Sequence, residues 1–233
     1  MKIYTYYEEI NFKNQDEIIK HWENNWKNKG FDPIILTQKD AKKSSYYNTF
    51  LNEIQQLHLE ITSNNIKPYG ISCYLRWLAY STQEEDSAFF VSDYDIFNIN
   101  FKNIEEPEDK LVFLSGHCPC FARGTPTQFL SFCEDIIKYS KEYKEEIKKE
   151  FEIKKCKHYH DQEFLYLLRD TLKNLYNIVL KQKYVKLFEY GKNDENPIIY
   201  HIAHKSARLA KDNNIEYSNK NLKEIRLNLI KNL

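Results

Sequence analysis

Apolar positions recur along this chain in two periods, and they divide it into strands and helices. The opening KIYTYY alternates and predicts a first strand. From Asn14 to Lys29, Ile18, Ile19, Trp22 and Trp26 recur at helical spacing, and Gly30 supplies a natural C-cap. FDPIILT (31–37) predicts a second short strand. A strand–helix–strand opening favours an α/β sheet with parallel strands. Helices are expected over 39–60, where Phe50, Leu51, Ile54, Leu57 and Leu59 recur, and over 67–81, with Pro68 in the first turn. SAFFVSDYD, LVFLSG (111–116) and CFARG (120–124) predict further strands. Helices over 126–149 and 161–179, strands at KYVKLFEY (183–190) and PIIYHI (197–202), and a polar helical tail complete the pattern. No repeat and no break in composition marks a second domain.

The run Phe89-Phe90-Val91 stops abruptly at Ser92-Asp93-Tyr94-Asp95. Burying a carboxylate without a partner is costly. Either the chain has emerged in a solvated turn, or the pair holds a cation. Ligands of open α/β sheets bind at the carboxyl ends of strands, where the strand order switches. On an extended chain, residues two apart point the same way. Two carboxylates on one side favour a hard ion, Mg²⁺ or Mn²⁺, with room left for phosphate oxygens. Their repulsion also predicts that Asp95→Ala leaves the metal-free protein as stable as before, or more so.

Composition narrows the classes. Lys+Arg and Asp+Glu both number 34, and this neutral total argues against a dedicated nucleic-acid binder. Five cysteines, an odd number, and a start (Met1-Lys2-Ile3-Tyr4) without secretory character predict free thiols and a reducing, cytoplasmic setting. No apolar run approaches the ~20 residues that span a bilayer, so no transmembrane segment is expected.

An ordered set of short motifs adds a family. TYYEE follows the first strand, YLRWLAY lies on a helix, FFVSDYD ends a strand, and HDQEFL (160–165) and IIYHIAH (198–204) come later. Together they resemble nucleotide-sugar-dependent glycosyltransferases of the GT-A fold, with their Asp-x-Asp motif. The chain departs from the commoner form in having Gln83-Glu84-Glu85-Asp86 where a Gly-Gly pair often stands. The resemblance implies one GT-A-like domain over 1–233, a Rossmann-like mixed sheet flanked by helices. Its nucleotide-sugar-binding half would cover about 1–100 and its acceptor and catalytic half about 101–233. The implied reaction is metal-dependent transfer of a sugar from a nucleoside-diphosphate sugar, by default a UDP-sugar, to a hydroxyl acceptor.

The resemblance also assigns roles, each with a plainer alternative. Asp95 would bind the metal, and Asp93 the metal or the donor ribose. His201 is the preferred third ligand and His204 the reserve; either could instead be a packed or surface histidine. Arg76, on an otherwise apolar helix, needs a partner: the donor diphosphate, Asp93 or a structural ion pair. Asp161 would act on the acceptor or the sugar, with Gln162 on the donor, unless Asp161 is a helix N-cap. Glu134 and Asp135 are its reserves. Thr5, Tyr6 and Tyr7 would meet the nucleobase or fill the core, and Arg123 and Gly124 would line the acceptor cleft. Two rival functions stand beside this reading: another metal-dependent nucleotidyltransferase, and a non-catalytic interaction protein on a transferase scaffold. A zinc site drawn from His117, Cys118, Cys120, Cys156, His158 and His160 is a rival metal centre, although Cys-x-Cys is not the usual knuckle spacing.

Overall fold

The computed structural model describes residues 1–8, 15–104, 109–116, 118–154, 156, 158–178, 183–189, 198–213 and 220–233. The chain opens with β1 (Lys2–Tyr6), α1 (Gln15–Asn28) and β2 (Asp32–Leu36). Helices α2 (Gln38–Ala41), α3 (Tyr47–Thr62) and α4 (Pro68–Ser81) lead to strands β3 (Phe89–Ser92), β4 (Ile96–Asn98), β5 (Val112–Phe113) and β6 (Phe121–Gly124). Then come α5 (Pro126–Glu142), α6 (Lys144–Ile153), α7 (Asp161–Leu167) and α8 (Arg169–Leu172). Strands β7 (Asn177–Ile178), β8 (Val185–Leu187) and β9 (Ile199–His201) precede α9 (His204–Asn213) and α10 (Leu222–Lys231).

Six strands form a mixed sheet in the order β2-β1-β3-β6-β5-β7, and β4-β9-β8 form a smaller one. β1 runs parallel to both β2 and β3, whereas β6 is antiparallel to β3. The alternation of strand side chains builds a core on each face. Tyr4, Phe89, Val91 and Phe113 pack with Phe50 of α3, Trp77 of α4 and Phe129 of α5. Ile3, Phe90, Val112 and Phe121 pack with Ile18, Trp22 and Trp26 of α1 and with Ile225 and Leu229 of α10. The result is a mixed α/β architecture, a sheet flanked by helices, consistent with a Rossmann-like fold. Among the described residues, no helix is long and apolar enough to cross a membrane.

Three expected helices are interrupted. The span 39–60 divides where α2, started by a Thr37–Asp40 capping box, ends before α3. The span 126–149 divides at Tyr143, which ends α5 and starts α6. The span 161–179 stops at Leu172, and Asn177–Ile178 join the sheet as β7 beside β5. There the open edge of β5 offers hydrogen bonds that outweigh helical spacing, as Asn177 N donating to Leu111 O at 3.1 Å shows.

Candidate functional site

The main sheet reverses its strand order at β1, which has β2 on one side and β3 on the other. Such a switch point is the favoured ligand crevice of an open α/β sheet. A pocket of about 280 Å³ opens there. Tyr6 and Glu8 reach it from the end of β1, Asp93, Tyr94 and Asp95 from the end of β3, and Tyr69, Cys73 and Arg76 from α4. His204 of α9 and Lys223 and Arg226 of α10 close the other side.

The acidic pair sits in a tight reversal, not on an extended strand. Asp93 N donates to Cys120 O at 2.8 Å, and Ile96 N returns to Asp93 O at 3.1 Å. The reversal gives the two carboxylates different partners, while both still line the one pocket. Asp93 pairs with Nη1 of Arg76. Asp95 pairs with Nη2 of Arg226 and faces His201 Nε2 at 3.4 Å. For Asp95→Ala the partners argue for the opposite outcome. Removing Asp95 would strip Arg226, only 7% exposed, of its carboxylate, and an uncompensated buried charge is destabilising.

The electrostatics follow from these partners. Burial pushes the Asp93 carboxyl up to about 6, with Arg76 opposing and Asp95 reinforcing the rise. Burial also acts to raise Asp95, but Arg226 and His201 outweigh it and hold its carboxyl below the usual range. Burial would lower His201, yet Asp95 holds its imidazolium up to about 9. Asp95 Oδ1 is buried with no hydrogen-bond partner among the described residues. That orphaned oxygen, with the half-buried Asp93 beside it, suits a hard divalent ion. His201 fits less well as its third ligand, because Nε2 faces an Asp95 oxygen and Nδ1 lies 3.7 Å from Cys120 Sγ.

Asp161 begins α7 but does not cap it; His160, in extended backbone, is the N-cap. Asp161 is 1% exposed. Its Oδ2 accepts from Arg76 Nε at 3.0 Å, from Arg76 Nη2 and from Trp77 Nε1 at 2.7 Å, while Oδ1 accepts from Gln162 N at 2.9 Å. Burial works to raise this carboxyl, but Arg76 and His160 keep it low, so it is a poor proton acceptor. The geometry makes Asp161 the anchor of Arg76, and Arg76 the link between Asp161 and Asp93.

Other expected residues are dispersed. Thr5 is fully buried, on the sheet face opposite Tyr4 and Tyr6. Tyr6 lines the pocket and donates to Glu8 at 3.3 Å, while Tyr7 donates to Asp16 and sets its ring edge against Tyr94. Gln162 and Glu134 are exposed away from the pocket, and Asp135 accepts from Tyr176 Oη at 2.5 Å. Arg123 and Gly124 do not line the pocket either. Because β6 is antiparallel to β3, Gly124 pairs with Phe89 at the far end of that strand. Arg123 lies over the Phe90 ring, and a Cβ on Gly124 would fall 2.8 Å from Leu111 Cδ1. The same pairing brings Cys120 to the acidic turn instead.

The chain matches no protein-family model and no curated protein. What points to function is the pocket itself. Sequence reasoning missed Arg226, Lys223, Tyr69 and Glu8. Glu8 stood within the quoted TYYEE motif, and Arg226 carried a trace of its own, a charged residue among Ile225, Leu227, Leu229 and Ile230 on a helix taken as a polar tail. The rival zinc set is not assembled as expected. All five cysteines are free, and Cys118 and Cys120 meet His201, whereas His160 groups with Cys73 and Asp161. Cys156 and His158 join neither group, and His117 lies outside the described residues.

Proposed function

We propose that this chain transfers a sugar from a nucleoside-diphosphate sugar to a hydroxyl acceptor, on a GT-A-like, Asp-x-Asp scaffold. One observation carries the reading: a pocket at the β1–β3 switch point holds Asp93 and Asp95 together with Arg76, Lys223 and Arg226. Oxygen ligands for a divalent ion and cations for a diphosphate therefore share one cavity. Asp93 and Asp95 would hold Mg²⁺ or Mn²⁺, which when bound neutralises charge on the departing diphosphate.

The protein's own groups do the rest. Arg76, locked by Asp161 and Asp93, offers a fixed positive charge beside the leaving group, and such preorganised charge costs little to align during reaction. Lys223 and Arg226 approach from α10. Tyr69, 52% exposed at the pocket, and Tyr94 present rings on which a nucleobase can stack. His201 fixes Asp95 by donating from Nε2. The proton of the acceptor hydroxyl passes to His204, which lines the pocket and which burial and Arg226 keep neutral.

Thermal unfolding with a panel of nucleotide sugars, with and without Mn²⁺, tests the reading. A ligand at 100 times its Kd adds about 2.7 kcal/mol. At ~2–4 °C per kcal/mol for a chain of this size, Tm should rise by roughly 5–10 °C, and only with metal present. A panel that shifts nothing would remove the donor site.

A further inference from the structure

We propose that Cys118, Cys120 and His201 form a separate site for a thiolate-binding divalent cation, with zinc the natural occupant, directly behind the Asp93–Asp95 turn. The ligand atoms of these three side chains all lie within 4.8 Å of one another. Cys120 Sγ and His201 Nδ1 are 3.7 Å apart. Zinc bonds of about 2.3 Å to sulfur and 2.0–2.1 Å to nitrogen, set at the tetrahedral angle, place those two atoms ~3.6 Å apart. The pair thus already stands at the separation that one shared ion requires.

The orientation of His201 is a second, independent observation. Its Nδ1 faces the sulfur, and its Nε2 faces Asp95 Oδ2 at 3.4 Å. A metal-bound histidine almost always donates its other ring N–H to a carboxylate or carbonyl, which fixes tautomer and ring plane. The supporting backbone is held from both sides. Ser115 Oγ donates to Cys118 O, Leu114 N donates to Phe121 O at 2.9 Å, and Asp93 N donates to Cys120 O at 2.8 Å. Cys120 is 1% exposed and Cys118 partly exposed, so the side towards Cys118 is the open one, where a water would complete four-coordination. Two thiolates and an imidazole select zinc over the Mg²⁺ or Mn²⁺ suited to the carboxylates in front. Binding would displace the thiol protons and tie the β5–β6 loop of the main sheet to β9 of the smaller one. It would thereby hold the imidazole that fixes Asp95. Nothing in this site depends on sugar transfer, so either reading can fail without the other.

The test uses the full chain, stripped of metal by chelation and then given Co²⁺ as a spectroscopic stand-in for zinc. The Co²⁺ titration should raise an intense thiolate-to-cobalt charge-transfer band that saturates at one thiolate-bound ion per chain, and Zn²⁺ should remove it. Cys118→Ser and Cys120→Ser should each abolish the band, while Cys73→Ser, in the other cluster, should leave it unchanged. If Cys120→Ser unfolds, as circular dichroism would reveal, the partly exposed Cys118→Ser decides alone. No band in the wild type, a band that survives in Cys118→Ser, or a band lost in Cys73→Ser would overturn the proposal.

Discussion

Replacing Asp161 with Asn keeps the side chain's size and removes its charge. In the structure that charge is buried and accepts two donors from Arg76 and one from Trp77. Breaking a buried ion pair from one side typically costs about 3–5 kcal/mol, because the surviving charge is left uncompensated. Arg76 retains Asp93, but the Asp93 side chain is 35% exposed and screens the arginine less completely. We therefore expect the lower end, about 3 kcal/mol. For a chain of this size, that lowers Tm by roughly 6–12 °C. Urea and thermal unfolding of Asp161→Asn, Arg76→Met and the double variant would measure it. The double variant should cost less than the sum of the singles by about 1 kcal/mol or more, as for residues in direct contact. If Asp161→Asn melts with the wild type while turnover collapses, the anchoring reasoning fails and Asp161 returns as a catalytic base.

Asp95→Asn should abolish metal-dependent nucleotide binding in calorimetry and also lower stability, by about 1–3 kcal/mol, since it weakens the partner of buried Arg226; unchanged nucleotide affinity would remove Asp95 from the metal site. Burial acts to lower His160, but Asp161 and then Glu163, at 2.7 Å, outweigh it and raise the imidazole to about 9 from an ordinary 6.5. A raised folded pKa gives stability that is complete below pH 6.5 and lost as the pH climbs through about 9. His160→Gln should therefore flatten part of the fall in stability across that window, and an unchanged slope in urea titrations would contradict it. Tyr69→Ala should weaken donor binding by about 1–3 kcal/mol if its ring stacks on the base, with chemistry at saturation unaffected. His204→Gln should lower turnover by about 10²-fold or more with donor affinity retained; equal losses in both would make it a binding residue.

How far the sequence led depended on the range of the interactions involved. α1 and α4 were legible because their apolar spacing is local and strong: Ile18, Trp22 and Trp26 on one, and Leu75 and Leu78 on the other, are all buried. The end of β3 was legible because Asp93 interrupts an apolar run. The reach of each side chain was not. Which partners Asp93 and Asp95 reach depends on a turn closed by Ile96 N and Asp93 O, not on strand periodicity. Arg226 lies 131 residues from its partner Asp95, and nothing local announces that pairing. Arg123 and Gly124 fall outside the pocket because strand direction is set by neighbours, and an antiparallel β6 carries them to the far end of β3 while delivering Cys120 to the acidic turn. Asp161 was read as a cap or a base because its position at a helix start was visible and its burial beneath Arg76 was not.

Sugar transfer by this pocket is tested by release of nucleoside diphosphate from a nucleotide sugar by the purified full chain, followed with and without Mn²⁺ and with Asp95→Asn as the paired control. Release should require the divalent ion and be lost in Asp95→Asn. No release above background from any nucleotide sugar in the panel, or release that persists undiminished in Asp95→Asn, would contradict it.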